Sequence, residues 1–315
     1  MKIVLLESLA IPDTLLASYA NILSAQGHEF CAYPKDTNED TQIAHAKDAD
    51  VIMLANMPLS AKVIENCPNL KFIDVAFTGV DHVALDAAKA RNIAVSNASG
   101  YANVSVAELT LCMMLSLLRN VPQVDARCRN GQTKEGLVGR ELKGKTVGIV
   151  GTGAIGIEVA KLCHAFGCEI IGYDGFPKKD APDYITYTSL EELLERSDIV
   201  TLHCPLNDSS RNLINKERIG LMKSRSYLIN AARGPVVDSQ ALADALNNEQ
   251  IAGAGIDVFE IEPPLDTAHP LLSAKNIIVT PHIAFASDES MKLRADIVFD
   301  NLHSWIKGKQ INTII

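Results

Sequence analysis

Lys145-Thr146-Val147-Gly148-Ile149-Val150-Gly151-Thr152-Gly153-Ala154-Ile155-Gly156 decides the fold. The first six residues are a near-continuous apolar run, the pattern of a strand buried on both faces. The next six spell G-x-G-x-x-G. That pattern is weak alone and gains meaning from its place, after a strand and at the start of a helical segment, Ala154 to Gly167. Gly151 permits the tight turn, Gly153 lets a backbone approach a pyrophosphate, and Gly156 allows close helix–strand packing. Phosphates would sit at the helix N-terminus, where free N–H groups and the dipole favour anions. Asp174 follows Gly156 by 18 residues, at the end of the next strand, Glu169 to Tyr173. A carboxylate there accepts hydrogen bonds from both ribose hydroxyls and repels a 2′-phosphate, which predicts NAD over NADP. The plainer reading of Asp174 is a turn residue before Gly175. Lys178 and Lys179 leave an opening for NADP.

Outward from this unit the rhythm continues. Ser189-Leu190-Glu191-Glu192 fits a capping box opening a helix to Ser197. Strands are predicted at Ile199 to Leu202, Tyr227 to Asn230, Gly255 to Val258 and Ile277 to Thr280, with a helix at Ser239 to Asn247 capped by Asp238. This is a doubly wound parallel sheet. Toward the N-terminus, Lys2 to Leu6, Glu29 to Tyr33, Val51 to Ala55 and Phe72 to Ala76 alternate with helical segments such as Leu15 to Ala25, a second α/β region. It lacks a glycine loop: Glu7-Ser8-Leu9-Ala10 follows its first strand. A long helix is predicted from Asn103 to Arg119, with Ser105-Val106-Ala107-Glu108 fitting a capping box and Pro122 ending or offsetting it. Ser287 to Lys307 reads as one amphipathic helix, too short to be a domain, so it must pack on one.

The 315 residues suggest two domains. With Lys+Arg 29 and Asp+Glu 38 the net charge is −9, a poor balance for binding nucleic acid. Hydrophobic residues at 47% against 21% charged exclude wholesale disorder. The most apolar stretch, Leu109 to Leu118, falls short of the roughly 20 residues that span a bilayer. The apolar run after Lys2 is too short for a signal-peptide core, and the seven cysteines form no CxxC pair. Together these point to reduced thiols in a cytoplasm, with no membrane partner.

Three predicted strand ends carry unusual polar residues: Asn230-Ala231-Ala232-Arg233-Gly234, Asp257-Val258-Phe259-Glu260-Ile261-Glu262-Pro263, and Thr280-Pro281-His282-Ile283-Ala284. In doubly wound sheets ligands lie outside the carboxyl ends of strands, so Arg233, Glu262 and His282 can converge. Arg grips a carboxylate or keto oxygen through its planar fork. His donates a proton to the alkoxide that forms as hydride reaches a carbonyl. A nearby Glu fixes the imidazole tautomer and favours its protonated form. Singly, such residues are ordinary: a surface Arg, a turn Glu, a structural His. Beside a dinucleotide fold they read as a reductase site. The other histidines have no such company, and no His, Asp or Glu cluster has metal-ligand spacing. Cys204, followed by Pro205, reads as a strand-end residue near the cofactor rather than a nucleophile.

With these segments the chain resembles the D-isomer-specific 2-hydroxyacid dehydrogenases, nearly end to end. Further matching segments are Phe77-Thr78-Gly79-Val80-Asp81-His82, Val104 to Glu108, Ala231 to Asp238, and Gly255 to Phe259. The resemblance implies a Rossmann NAD-binding domain (99–287) inserted into a flavodoxin-like substrate domain (1–98 plus 288–315). It implies that Arg233 binds substrate, that His282 is the acid/base and that Glu262 is its partner. The Thr78 and Gly79 backbone would hold the substrate carboxylate. Asp257 would lie near the nicotinamide carboxamide and Ala154 and Ile155 near the pyrophosphate. Cys204, Pro205, Ala231, Ala232 and Ala284 would line the cofactor. Two positions depart from common family patterns. Phe77 stands where many members carry smaller residues, so it narrows or lines the pocket. Ala154 stands where many have Arg, so a charge on the pyrophosphate is lost. The implied reaction is NADH-dependent reduction of a small 2-keto acid to the D-2-hydroxy acid, with hydroxypyruvate or glyoxylate leading and pyruvate or bulkier acids following. A homodimer is implied too. The alternative is an NAD-sensing binding protein of the corepressor type on the same fold.

Overall fold

A computed structural model of the chain describes residues 1–177, 180–261 and 264–315. They form two compact units, Met1–Ala102 with Ala286–Ile315, and Asn103–Phe285. Lys178, Lys179, Glu262 and Pro263 lie outside the described residues.

The first unit alternates β1 (Lys2–Leu5), α1 (Asp13–Ala25), β2 (Glu29–Ala32), α2 (Glu39–Ala46), β3 (Val51–Leu54), α3 (Ala61–Glu65), β4 (Phe72–Val75), α4 (Leu85–Ala90) and β5 (Ala94–Asn97). The strands are parallel in the order β2-β1-β3-β4-β5, the flavodoxin-like order. Strands β3 and β4 are buried at every position, as a sheet covered on both faces requires.

The second unit holds α5 (Asn103–Leu118), α6 (Val121–Arg129), β6 (Thr146–Val150), α7 (Ala154–Ala165), β7 (Glu169–Tyr173), β8 (Ile185–Tyr187), α8 (Leu190–Arg196), β9 (Ile199–Leu202), α9 (Lys216–Ile219), β10 (Tyr227–Asn230), α10 (Ser239–Asn247), β11 (Gly253–Ile256) and β12 (Ile277–Val279). Its seven parallel strands run β12-β11-β10-β9-β6-β7-β8. The order reverses between β6 and β9, the switch point where doubly wound sheets bind ligands.

The last helix, α11 (Asp288–Ile306), belongs to the first unit. Ser287 caps it through a reciprocal bond with Ser290. Its buried face packs on β4 and β5, with Phe299 stacked on Tyr19 at 4.1 Å and Trp305 on Phe72 at 4.8 Å. The tail beyond it pairs with β5: the Ile314 N–H donates to the Val95 carbonyl at 2.8 Å.

Three local expectations are corrected. Helix α5 begins at Asn103, so Ser105 and Glu108 lie inside it and form no terminal box. Ser189 does cap α8 by accepting from the Glu192 N–H, but the Glu192 carboxylate pairs with Arg196, one turn on, instead of returning to the cap. Strand β11 starts at Gly253, two residues earlier than read, and ends before Asp257, which leaves that side chain free to organise the loop beyond.

Candidate functional site

The glycine loop joins β6 to α7. Gly151 has φ +92°, a left-handed conformation that glycine adopts without strain. A Cβ on it would stand 2.6 Å from the Cys204 nitrogen just beyond β9. A Cβ on Gly156 would lie 2.1 Å from the Gly151 carbonyl oxygen, so this glycine lets the helix close on the loop itself. At Gly153 the result is opposite: a Cβ would meet nothing within 4 Å. Gly153 is also the N-cap of α7 and offers no side-chain acceptor to the first-turn N–H groups. Open space over unsatisfied donors suits a pyrophosphate. Ala154 is exposed and Ile155 half-buried beside this opening.

Asp174 ties the loop down. Its Oδ2 accepts from the Thr152 N–H at 2.7 Å and the Thr152 hydroxyl at 3.0 Å, while Oδ1 accepts from the Phe176 N–H at 2.8 Å. The turn reading of Asp174 holds, and the carboxylate also grips Thr152 of the glycine loop. Three of roughly four acceptor positions are in use. The spare capacity lies on Oδ1, which narrows the expectation that one carboxylate serves both ribose hydroxyls. Tyr187 on β8 donates to the Thr152 hydroxyl at 2.9 Å, completing the support. Neither Thr152 nor Tyr187 was legible as part of this site.

Past β9, Cys204 is half-buried and Pro205 exposed. Burial pushes the Cys204 thiol up to about 11, which leaves it an inert thiol rather than a nucleophile. His203 contacts Thr201, Nε2 to hydroxyl at 2.9 Å, and burial pulls its imidazole down to about 3. It is a neutral ring under the loop, unsuited to proton transfer near neutral pH.

Arg233 lies beyond β10 on a turn built by Asn230. The Asn230 Oδ1 accepts from the Ala232 N–H and its Nδ2 donates to the Arg233 carbonyl, both at 3.0 Å. Ala231 is half-buried and Ala232 buried. A Cβ at Gly234 would lie 1.9 Å from the Phe259 carbonyl carbon, so this turn sits directly on the Phe259–Glu260 backbone. That close approach couples the two segments. Asn230 had a sequence signal, a polar residue closing an apolar strand, but no role had been assigned to it.

His282 is held from Asp257, at the mouth of β11. Asp257 is fully buried, and its carboxylate accepts from the Thr280 hydroxyl at 2.5 Å and from the Ile283 and Ala284 N–H groups at 2.9 Å each. Burial raises its carboxyl above the ordinary value, and those three donors oppose the rise. The His282 N–H donates to the Asp257 carbonyl at 2.7 Å. The result is a clamped turn with His282 at φ +56°, half-buried and edge-on to Phe285 at 5.5 Å. Non-glycine residues persist there only when their surroundings over-determine them. Asp257 thus organises the turn. Ala284 is buried within it.

In the first unit, Phe77 is buried, 6.4 Å from His82 and 6.2 Å from Tyr101 by ring centres. Thr78 is exposed and Gly79 half-exposed. One histidine dismissed from sequence does have company: His269 Nε2 lies 3.1 Å from Glu260 Oε2, beside a cavity of about 590 Å³ that Asp238 and Asp266 also line. Arg233, Asp257 and His282 do not line that cavity. Among the described residues no group of three or more His, Cys, Asp or Glu could hold a metal, and no single helix is long and apolar enough to cross a membrane.

Residues 111–284 match the family model described as "D-isomer specific 2-hydroxyacid dehydrogenase, NAD binding domain". The chain is 38% identical over 307 residues to a glyoxylate reductase of Thermofilum pendens, covering 95% of this chain and 90% of that protein. It is 35% identical over 288 residues to a hydroxypyruvate reductase of Blautia hydrogenotrophica, covering 88% of each. Among solved structures, a D-lactate dehydrogenase from Aquifex aeolicus complexed with NAD and lactic acid superposes with a TM-score of 0.86 at 32% identity, over 98% of this chain and 96% of that one.

Proposed function

The chain belongs to the D-isomer-specific 2-hydroxyacid dehydrogenase family, and we propose that its substrate is a small 2-keto acid, hydroxypyruvate or glyoxylate first, pyruvate next. It is an NAD-dependent oxidoreductase that interconverts 2-keto and D-2-hydroxy acids. The names of the two reductases support the choice of small acids. So does the bulk of Phe77, which immediately precedes Thr78 and Gly79 in the chain.

The residues around Gly153 fit the cofactor: open space, unsatisfied helix N–H groups and a carboxylate at Asp174. Bound NADH supplies the hydride. Gly151, Gly153, Ala154, Ile155 and Gly156 would carry the pyrophosphate, and Asp174 the ribose. Cys204, Pro205, Ala231, Ala232 and Ala284 would border the rest. Arg233 binds the carboxylate or keto oxygen through two parallel N–H donors and so orients the carbonyl. The Thr78 and Gly79 N–H groups take the carboxylate. His282 gives its proton to the carbonyl oxygen as that oxygen gains charge, and takes it back in the oxidative direction. Glu262 orients the imidazole. Asp257 acts through the turn that it holds.

One observation carries this assignment: the clamp on Asp257 keeps His282 in a left-handed conformation that costs about 1–3 kcal/mol. The test is NADH oxidation with a panel of hydroxypyruvate, glyoxylate, pyruvate and a branched-chain keto acid. The highest kcat/KM is expected with one of the first two; a clear preference for the branched acid overturns the substrate assignment. NADH binding without turnover on any acid would point instead to a binding protein.

The reading extends to a homodimer built on α5, α6 and the segment that follows, supported by the exposed apolar residues Val104, Val121 and Val138. A cytoplasmic setting is supported by seven free cysteines, and the net charge of −9 argues against nucleic-acid partners. Among the described residues no single helix is long and apolar enough to cross a membrane.

A further inference from the structure

A buried polar chain in the first unit ends on the loop assigned above to the substrate carboxylate. Asn301, fully buried on α11, uses both amide hydrogens: Nδ2 donates to Asp74 Oδ1 at 3.0 Å and to the Asn97 carbonyl at 2.9 Å. Its Oδ1 accepts from Asn312 Nδ2 at 2.8 Å. Asn97 in turn donates from Nδ2 to the Thr78 carbonyl at 2.6 Å, and the Ala98 N–H donates to the Phe77 carbonyl at 3.0 Å. The Thr78 side chain is exposed. The loop is therefore tethered through its carbonyls, and Asn301 is the node to which the tether leads.

Asp74 is the unexpected member. It sits inside β4 among Phe72, Ile73 and Val75 with no exposure, and its Oδ2 is buried without a partner. A charge there would rest on one hydrogen bond, which no strand interior compensates. Burial accordingly holds this carboxyl well above the usual range, which favours its neutral form. An apolar residue would pack into a central strand at lower cost. What Asp74 adds is an acceptor at a fixed place, which sets the rotation of the Asn301 amide and, through it, the Asn97 backbone.

We propose that Asp74 and Asn301 are positioning residues for the Thr78–Gly79 loop, setting keto-acid affinity from inside the sheet. The inference rests on the reading that this loop holds the substrate carboxylate. The chain reaches neither cofactor nor reacting atoms, so its effect belongs in KM for the keto acid and not in kcat or NADH affinity.

The experiment compares Asp74→Ala, Asp74→Asn, Asn312→Gly and Gly79→Ala, reading keto-acid KM, kcat and NADH affinity for each. Asp74→Ala should raise KM about two- to ten-fold, the range that one neutral hydrogen bond is worth. Asp74→Asn retains an oxygen acceptor and should restore the KM. Asn312→Gly keeps the left-handed backbone at the exposed end of the chain (φ +49°) and should raise KM less, without threatening the core should Asp74→Ala fail to fold. Gly79→Ala crowds the loop's own donors and should raise KM most. If it does, and KM is unchanged in Asp74→Ala and Asn312→Gly, or Asp74→Asn is as impaired as Asp74→Ala, the inference is overturned. Unchanged KM in Gly79→Ala removes the loop assignment itself, and the inference with it.

Discussion

The two sheets meet the same topological problem with opposite chemistry. Each is doubly wound, and each reverses its strand order beside its first strand, between β1 and β3 in the first unit and between β6 and β9 in the second. In the first unit the chain leaves β1 into Glu7, whose Oε2 accepts from the Ala55 and Met57 N–H groups beyond β3 at 3.0 and 2.8 Å. Lys35 balances the carboxylate at 2.8 Å. The donors that a switch point offers to a ligand are answered by the protein's own acid. In the second unit the chain leaves β6 into Gly151-Thr152-Gly153, and nothing stands within 4 Å of where a Gly153 side chain would be. Here the acid, Asp174, arrives from β7 and grips Thr152 beside the opening rather than filling it. The lesson is that a doubly wound sheet does not by itself make a nucleotide site. The residue at the switch point decides whether the fold's donors are satisfied from within or left for a ligand.

The sharpest break would come from the proton donor of the second unit. General acids contribute about 10²–10⁴-fold, so His282→Ala should lose that factor in kcat with NADH affinity nearly unchanged. Glu262→Gln should lose less, and the double variant should be little worse than His282→Ala alone, since Glu262 works only through the imidazole. Additive losses would separate the pair. Arg233→Lys keeps the charge and loses the fork, and should cost on the order of 10²-fold in kcat/KM.

The first unit should respond in stability. Glu7→Ala leaves two buried N–H groups without an acceptor and removes the ion pair of Lys35, which keeps its bond to Asn56. The expected cost is about 2–6 kcal/mol in urea unfolding, at one to three for each stranded donor. NADH affinity should not move. Lost NADH affinity in a folded Glu7→Ala protein would contradict the division of labour between the two sheets.

A smaller effect is expected at Asp174. Asp174→Ala removes the ribose acceptor, the repulsion of a 2′-phosphate and the anchor of Thr152 together. NADH should bind at least about ten-fold more weakly, the lower end of the worth of one hydrogen bond to a charged group, and discrimination against NADPH should relax. A wild-type enzyme that already uses both cofactors equally would show that Asp174 only supports the loop.

How far such roles are legible differs between the two units for physical reasons. The glycine loop announces itself because conformational need is written directly in residue type: only glycine suits Gly151 at φ +92°. Arg233 and His282 stood out as polar residues at apolar strand ends. The turn-holding role of Asp257 has no local signal in sequence, since its three bonds come from residues 23 to 27 positions later. Strand β11 was placed two residues late because Gly253-Ala254-Gly255 has weak strand propensity. Those glycines are there for packing: a Cβ at Gly255 would come within 3.0 Å of the Met113 sulfur on α5. Strands β5 and β8 were not read; β8 has three residues at a sheet edge. In the first unit the informative contacts span the whole sequence, such as Asp74 to Asn301, and no local pattern records them.

That long-range pair supplies the smallest and most discriminating prediction, one of sign. Glu7 and Asp74 are both buried acids of the first unit, but Glu7 has a lysine and two N–H donors whereas Asp74 has one amide. Burial raises the folded-state Asp74 pKa above its unfolded value near 3.9. The native state therefore binds more protons than the unfolded chain between those two values. Its contribution to stability is present below the unfolded pKa and is lost as pH rises through the folded one. Asp74→Asn cannot ionise and is free of that loss. Relative to wild type it should gain stability as pH rises from about 4, and the gain should level off once the native acid has ionised. Urea midpoints at a series of pH values, with unchanged slopes, would show it. A gain that instead grows toward acid pH would mean that Asp74 is ionised and stabilising in the native sheet, as a paired acid is, and the contrast between the two buried carboxyls would disappear.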